Sequence, residues 1–352
     1  MFFSSLTVCF VSLAQLGTGR YTLIDDYTPE NFFSMFTFFT GHDPTNGFVD
    51  YVDQPTANRT GLIESTWSSV YIGVDHTNMT PNGRPSVRIT SNKSYNYGLI
   101  VLDLEHMPYG CGTWPAFWTV GPNWPNNGEI DIIEGVHDQT TNLMTLHTSD
   151  NCSITNDNMF TGSISTTNCF VNAPDQSNNA GSSIHTTNTQ TYGAAFDAIT
   201  GGVYATEWTS DAISIWFFPR NTIPDDIRNG HPNPQSWGEP VSQFQGACDL
   251  DTHIKDQQIV FDNTFCGDWA GNVWTSDATC GPQAATCNDF VANNPDAFTD
   301  AYWTINSLRI YQDQAQRHVH VGYPGHAPWG VDPHLPPWIS HLAPIPPSPT
   351  GI

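Results

Sequence analysis

No window of this chain carries helical periodicity over three turns, while short apolar runs recur between clusters of Gly, Pro and Asn. Val49 to Val52, Leu62 to Ile72, Ser86 to Thr90 and Gly98 to Leu104 all have the alternation of half-buried strands. Val203 to Trp208 and Ile213 to Phe218 flank Thr209-Ser210-Asp211-Ala212, which reads as a hairpin turn. Short strands at roughly 8–12-residue spacing point to an all-β sandwich or jelly roll. A length of 352 residues suits one large domain of that class or two small ones, and the chain has no internal repeats.

One run stands apart: Gly128-Glu129-Ile130-Asp131-Ile132-Ile133-Glu134-Gly135-Val136. It places three carboxylates in an otherwise apolar, β-forming stretch, where burying them is unfavourable unless they have a task. In a regular strand Glu129, Asp131 and Ile133 share one face and Glu134 points to the other. A one-residue bulge between Asp131 and Glu134 returns Glu134 to the face of Glu129 and Asp131. Two carboxylates flanking a scissile bond are the equipment for cleaving a glycosidic linkage, roughly 5–5.5 Å apart when configuration is retained. A metal-binding or merely solvated acidic strand remains an alternative on this run alone.

Other segments go with it. Gly112-Thr113-Trp114-Pro115-Ala116-Phe117-Trp118 precedes the acids, and Met144-Thr145-Leu146-His147-Thr148 follows them. Later come Glu207-Trp208, Ile213 to Phe217, Phe265-Cys266-Gly267-Asp268-Trp269-Ala270-Gly271-Asn272-Val273-Trp274 and Tyr302 to Tyr311. Together, from about Tyr21 to Gln314, they resemble glycoside hydrolase family 16, nearest to its fungal endo-1,3(4)-β-glucanases. The resemblance implies a concanavalin-like β-jelly-roll sandwich of two antiparallel sheets with a concave substrate cleft. It implies Glu129 as nucleophile, Glu134 as general acid/base, and Asp131 between them to orient Glu129. It also implies Trp269 and Trp274 as residues lining the cleft. Trp114, Trp118 and Trp124, close before the acids, are further candidates for binding sugar; so is His147 if its strand pairs beside theirs, with a structural histidine as the alternative, and Arg88 and Asn46 are groups that could meet sugar hydroxyls. The reaction it implies needs no cofactor and no catalytic metal; a structural calcium away from the cleft occurs in some members.

Charge narrows the partners. Acids outnumber bases 34 to 10, for a net charge of −24. That balance repels phosphate backbones and anionic lipid, so neither nucleic acid nor membrane is an expected partner. A neutral β-1,3 or mixed-linkage glucan meets no such repulsion, and twelve Trp offer flat faces for sugar rings. A monomer is expected.

Residues 1–19 read as a secretory signal: apolar from Phe2 to Leu13, with small residues at Ser12 and Ala14, though without a basic start. An extracellular protein follows, with a catalytic domain over 20–314 and a His/Pro-rich tail, 315–352, too poor in apolar residues to pack. Sequons at Asn58, Asn78, Asn92 and Asn151 agree with secretion. Seven of the eight cysteines follow the signal. Proximity in sequence suggests Cys152–Cys169, Cys248–Cys266 and Cys280–Cys287 with Cys111 left over, although spacing does not determine connectivity. Asn151 to Thr191, rich in Asn, Ser and Thr, reads as a surface excursion outside the core.

Hydrolysis of internal β-1,3 linkages is the expected activity. A transglycosylase would use the same residues with a sugar as acceptor, and a lectin-like β-glucan-binding sandwich would use the fold without the chemistry.

Overall fold

The computed structural model describes residues 20–155 and 159–313. The signal segment and the tail, with His318 and His320, lie outside the described residues. Two antiparallel sheets of eight strands each form the molecule, joined by short connections and a few helical turns. Among the described residues the longest α-helices, Gln54–Thr60 and Cys287–Asn293, have seven residues each. No helix among the described residues is long and apolar enough to cross a membrane.

The sheet that carries the acids consists of β1 (Phe36–Phe38), β2 (Ile89–Tyr95), β3 (Thr113–Val120), β4 (Glu129–Glu134), β5 (Leu143–His147), β6 (Ser163–Ile164), β7 (Ser182–His185) and β8 (Gln257–Phe265). Its order is β6-β7-β5-β4-β3-β8-β2-β1, so the acidic strand is central. The second sheet is built on Gly98–His106, Gly202–Trp208, Ile213–Pro219 and Trp303–Asp313. Its hairpin pairs Gly202 with Pro219 and Trp208 with Ile213, as the turn chemistry between them predicts.

Alternation divides the first sheet into two faces. Phe117, Ile130, Met144, Leu146, Ile184, Ile259 and Phe261 point inward, all at most 2% exposed, and pack with Leu102, Leu104, Ile305 and Leu308 of the other sheet. The residues between them form the opposite face, which carries the site. Fully burying each such aliphatic or aromatic side chain contributes roughly 1.5–3 kcal/mol. That shared core holds the strands beneath the site in a fixed register.

A smaller cluster surrounds Phe265, Trp274, Phe290, Val291 and Phe298. Disulfides Cys111–Cys280 and Cys266–Cys287 staple it to the start of β3 and the end of β8; Cys152–Cys248 closes a separate two-stranded ribbon. None of the three pairings expected from sequence proximity forms, and Cys111 is bonded. Cys152 sits opposite Cys248 in the ribbon. Among the described residues Cys169 is the free cysteine, with its buried Sγ 2.7 Å from the Ser182 hydroxyl. Strand pairing of remote segments aligns Cys152 with Cys248, and packing of the smaller cluster brings the other two pairs together; local spacing contains no trace of either.

The polar stretch Asn151 to Thr191 is also misread as a mere surface excursion. It supplies β6 and β7 to the acidic strand's own sheet and buries Phe160, Val171, Ser182, Ser183 and Ile184. Its hydroxyls enter the interior because they find partners, such as Thr145 Oγ1 and Ser183 Oγ at 3.1 Å.

Candidate active site

β4 pairs regularly with β5 from Glu129 opposite His147 to Asp131 opposite Thr145, then resumes with Glu134 opposite Leu143. Against β3 the same slip falls between Asp131, opposite Trp118, and Ile133, opposite Phe117. The extra residue sends Ile132 and Ile133 into the core, both fully buried, and turns Glu134 outward. Directly opposed residues share a face, so Glu129, Asp131 and Glu134 lie with Val120, Trp118 and Ala116 of β3. Val260, Asp262 and Thr264 of β8 continue that face, and Thr145 and His147 of β5 bound its other side.

Four carboxyls crowd one surface. Burial, and then the charge on Asp131, push Glu129 up to about 8; His147 and Arg88 work against that rise. Glu134 is also pushed up to about 8 by burial and then by Asp131, and the Trp114 indole, donating to Glu134 Oε1 at 2.9 Å, opposes it. Asp131, only 2% exposed, is raised well above the usual carboxylate range by burial and then by Asp262. Asp262 itself rises to about 6 through burial, held back by Arg88 and by the Trp118 indole. His147 Nε2 lies 3.2 Å from Asp131 Oδ2 and 3.9 Å from Glu129 Oε1. Such a group cannot hold all its negative charges together near neutrality. Asp131, the deepest of the four, lies between the two glutamates, where burial disfavours its charged form.

The aromatic walls are braced by the same acids. Trp118 donates to Asp262 Oδ1 at 2.8 Å while Tyr51 donates to Asp262 Oδ2 at 3.0 Å. The Arg88 guanidinium sits between rings, 5.0 Å from Trp118 and 5.1 Å from Phe39. Trp114 meets Trp269 edge-on at 5.6 Å, and Asn46 is occupied by both oxygens of Asp268. Trp124, half-buried between β3 and β4, has its indole nitrogen buried without a hydrogen-bond partner.

Trp274 does not belong with these. It is 1% exposed, donates to the Ala284 carbonyl at 3.0 Å and packs on His137 and Phe290. Four residues lie between it and Trp269: Trp269 sits within the helical turn Gly267–Gly271, with its indole against Trp114, whereas Trp274 opens the next turn, Trp274–Ser276, and sinks into the smaller cluster. Asp262 and Tyr51 were missed in the sequence. The signal at Asp262 is the one that marks the acidic run: a carboxylate inside Gln257–Phe265, an otherwise buried strand.

Two groups of side chains converge closely enough to hold a metal among the described residues: Glu129 with Asp131 and His147, and Asp138 with Asp277 and Cys280. Calcium takes six to eight oxygen ligands. The first group offers an imidazole and carboxyls inclined to keep protons, and Cys280 of the second is tied to Cys111. Neither fits calcium.

A family model, the XgeA-like catalytic domain of glycoside hydrolase family 16, matches residues 36–311. The chain belongs to glycoside hydrolase family 16. Among family 16 relatives, an endo-1,3(4)-β-glucanase of Arthroderma benhamiae is 49% identical over 305 residues, covering 86% of this chain and 67% of the relative. A probable glycosidase of Schizosaccharomyces pombe is 47% identical, covering 83% of this chain and 69% of its own. Probable endo-1,3(4)-β-glucanases of Aspergillus fumigatus are longer, and this chain spans 48% of their length. Among solved structures, an elongating family 16 β-1,3-glucosyltransferase is 46% identical with a TM-score of 0.79, covering 83% of this chain and all of its own. Laminarinase 16A of Phanerochaete chrysosporium, holding 6-O-glucosyl-laminaritriose in donor and acceptor sites, is 43% identical with a TM-score of 0.77, covering 83% and 99%. As a family 16 member with endo-1,3(4)-β-glucanase relatives, the protein is a glycoside hydrolase whose sandwich is the family's jelly roll.

Proposed function

We propose that the protein is a secreted endo-β-glucanase that cleaves internal β-1,3 linkages, and mixed β-1,3/1,4 glucan, with retention of configuration. The observation that carries this reading is the bulge in β4, which aligns Glu129 and Glu134 on one face with Asp131 between them. Burial and Asp131 push Glu129 and Glu134 alike up to about 8, so a pair sharing one proton can present Glu129 charged and Glu134 protonated, the state this chemistry starts from. Glu129 attacks the anomeric carbon as the glycosidic C–O bond breaks, and Glu134 passes its proton to the departing oxygen. Glu134, now a carboxylate, takes a proton from water; the water oxygen attacks the same carbon, and Glu129 leaves as the free carboxylate. Asp131, between the two on the same face, orients Glu129. Trp114, Trp118, Trp124 and Trp269, with His147, hold the glucan against these groups. Each step uses side chains of this chain, so no cofactor is called upon, and a site complete within one chain supports action as a monomer.

Three disulfides support an oxidising, extracellular setting. The net charge of −24 supports a neutral polysaccharide partner over nucleic acid or membrane. A second reading, glucosyl transfer, is favoured by the likeness to the elongating glucosyltransferase: the same glycosyl-enzyme would pass to a sugar hydroxyl in place of water.

Chromatography of products from laminarihexaose, lichenan and cellulose tests the proposal. Shorter laminari-oligosaccharides, and fragments from lichenan but not cellulose, are expected. Products longer than laminarihexaose as the main species would favour transfer. No products from any of them would end the proposal.

A further inference from the structure

One buried carboxamide spans the irregularity on which the acid pair depends. Between Asp131 opposite Thr145 and Glu134 opposite Leu143, both Ile132 and Ile133 stand against Met144 alone. A bulge of this kind drops backbone groups out of the ladder, here among residues with no exposure, where an unpaired N–H or carbonyl is strongly disfavoured. Asn142 takes up both groups. Its Nδ2 donates to the Ile132 carbonyl at 2.7 Å, and its Oδ1 accepts from the Glu134 N–H at 2.9 Å.

Asn142 is held just as firmly. It is fully buried; its own N–H donates to Thr191 Oγ1 at 3.1 Å and its carbonyl accepts from the Thr186 N–H at 3.1 Å. Thr191 Oγ1 is fixed in turn by Thr186 Oγ1 at 2.7 Å and by donating to the Asn188 carbonyl at 2.6 Å. A donor and an acceptor on one planar group match the carbonyl and N–H that the bulge releases. An aspartate carboxylate or a leucine in its place matches at most one of them.

We propose that Asn142 is the positioning residue of the general acid/base: it holds the bulge open and thereby fixes which face Glu134 occupies. The inference rests on the assignment of Glu134 as acid/base. With Asn142 removed, the bulge has no partner for its released groups, and β4 gains by sliding toward regular pairing. Regular pairing turns Glu134 away from the face of Glu129 and Asp131. The chemistry lost first is protonation of the leaving oxygen, because Glu129 precedes the slip and keeps its register with His147.

A pair of substrates separates this role from a merely structural one. Laminarin requires its leaving oxygen to be protonated, whereas 2,4-dinitrophenyl β-laminaribioside releases an anion that does not. In N142A, kcat/KM for laminarin is expected to fall about 10²-fold, the scale of a displacement near 1 Å, with kcat/KM for the aryl glycoside close to that of the unaltered protein. N142D keeps an acceptor for the Glu134 N–H and is expected to show the same bias with a smaller loss. Equal losses on both substrates, or no loss on laminarin, would overturn the proposal; if N142A does not fold, N142D alone decides by the same criterion. Glu134→Ala serves as the reference. Should it lack the bias, the assignment of Glu134 falls; should it show the bias while the Asn142 variants do not, only the role of Asn142 falls.

Discussion

Glu129→Ala is expected to reduce laminarin turnover on the order of 10⁶-fold, the scale seen when a covalent nucleophile is removed from an intact site. Glu129 stands on the face opposite the core, so its replacement opens no cavity among the inward residues Ile130 and Ile132. Glucan binding and the melting temperature should therefore stay near those of the unaltered protein. Azide added with 2,4-dinitrophenyl β-laminaribioside should restore turnover in this variant. The product should be the α-glycosyl azide, because azide enters through the space the carboxylate vacated and displaces the leaving group once. A variant that still hydrolyses laminarin at a substantial rate, or that forms the β-azide, would remove Glu129 from the nucleophile's role.

The second large effect concerns stability. Cys111–Cys280 closes a loop of 169 residues, and Cys266–Cys287 one of 21. On the chain-entropy account, losing the first by Cys111→Ser with Cys280→Ser removes about 5 kcal/mol, against about 3 kcal/mol for the second. The larger figure approaches the whole stability of many domains. It falls on the cluster around Trp274, Phe290 and Phe298, which anchors the segment carrying Trp269. Urea titrations of the two double variants should show the larger loss at Cys111 and Cys280, with less change on replacing Cys169 by Ser. Peptide mapping under non-reducing conditions should find Cys169 as a thiol that alkylates only after unfolding, since burial pushes it up to about 12. A Cys152–Cys169 bridge in that map would contradict the pairing.

How much of this was legible beforehand follows from the range of each interaction. The bulge could be read because Glu129, Asp131 and Glu134 share six residues, and a strand's period of two makes an off-phase acid conspicuous. The hairpin of Gly202–Trp208 and Ile213–Pro219 was readable for the same reason: a short turn lies between two alternating runs. Cysteine partners were not, because Cys152 meets Cys248 through a strand pairing 96 residues apart. Trp269 and Trp274 look alike in sequence, and only their places in successive helical turns set one ring against Trp114 and bury the other in the core. Asn151 to Thr191 looked too polar for the interior, yet its Ser and Thr hydroxyls pair on entering it. Asn142 illustrates the limit most sharply. Nothing in Asn142 as a residue type marks it as the partner of a bulge eight to ten residues upstream.

The central claim is that Glu129 and Glu134 cleave a β-1,3 linkage in two displacements. Proton NMR of laminarin in the first minutes of incubation tests it most directly, by following the anomeric signals of each new reducing end before they equilibrate. Retention predicts that the β-anomer appears first and the α-anomer grows in later by mutarotation. An α-anomer appearing first would contradict the double displacement and the roles given to both glutamates.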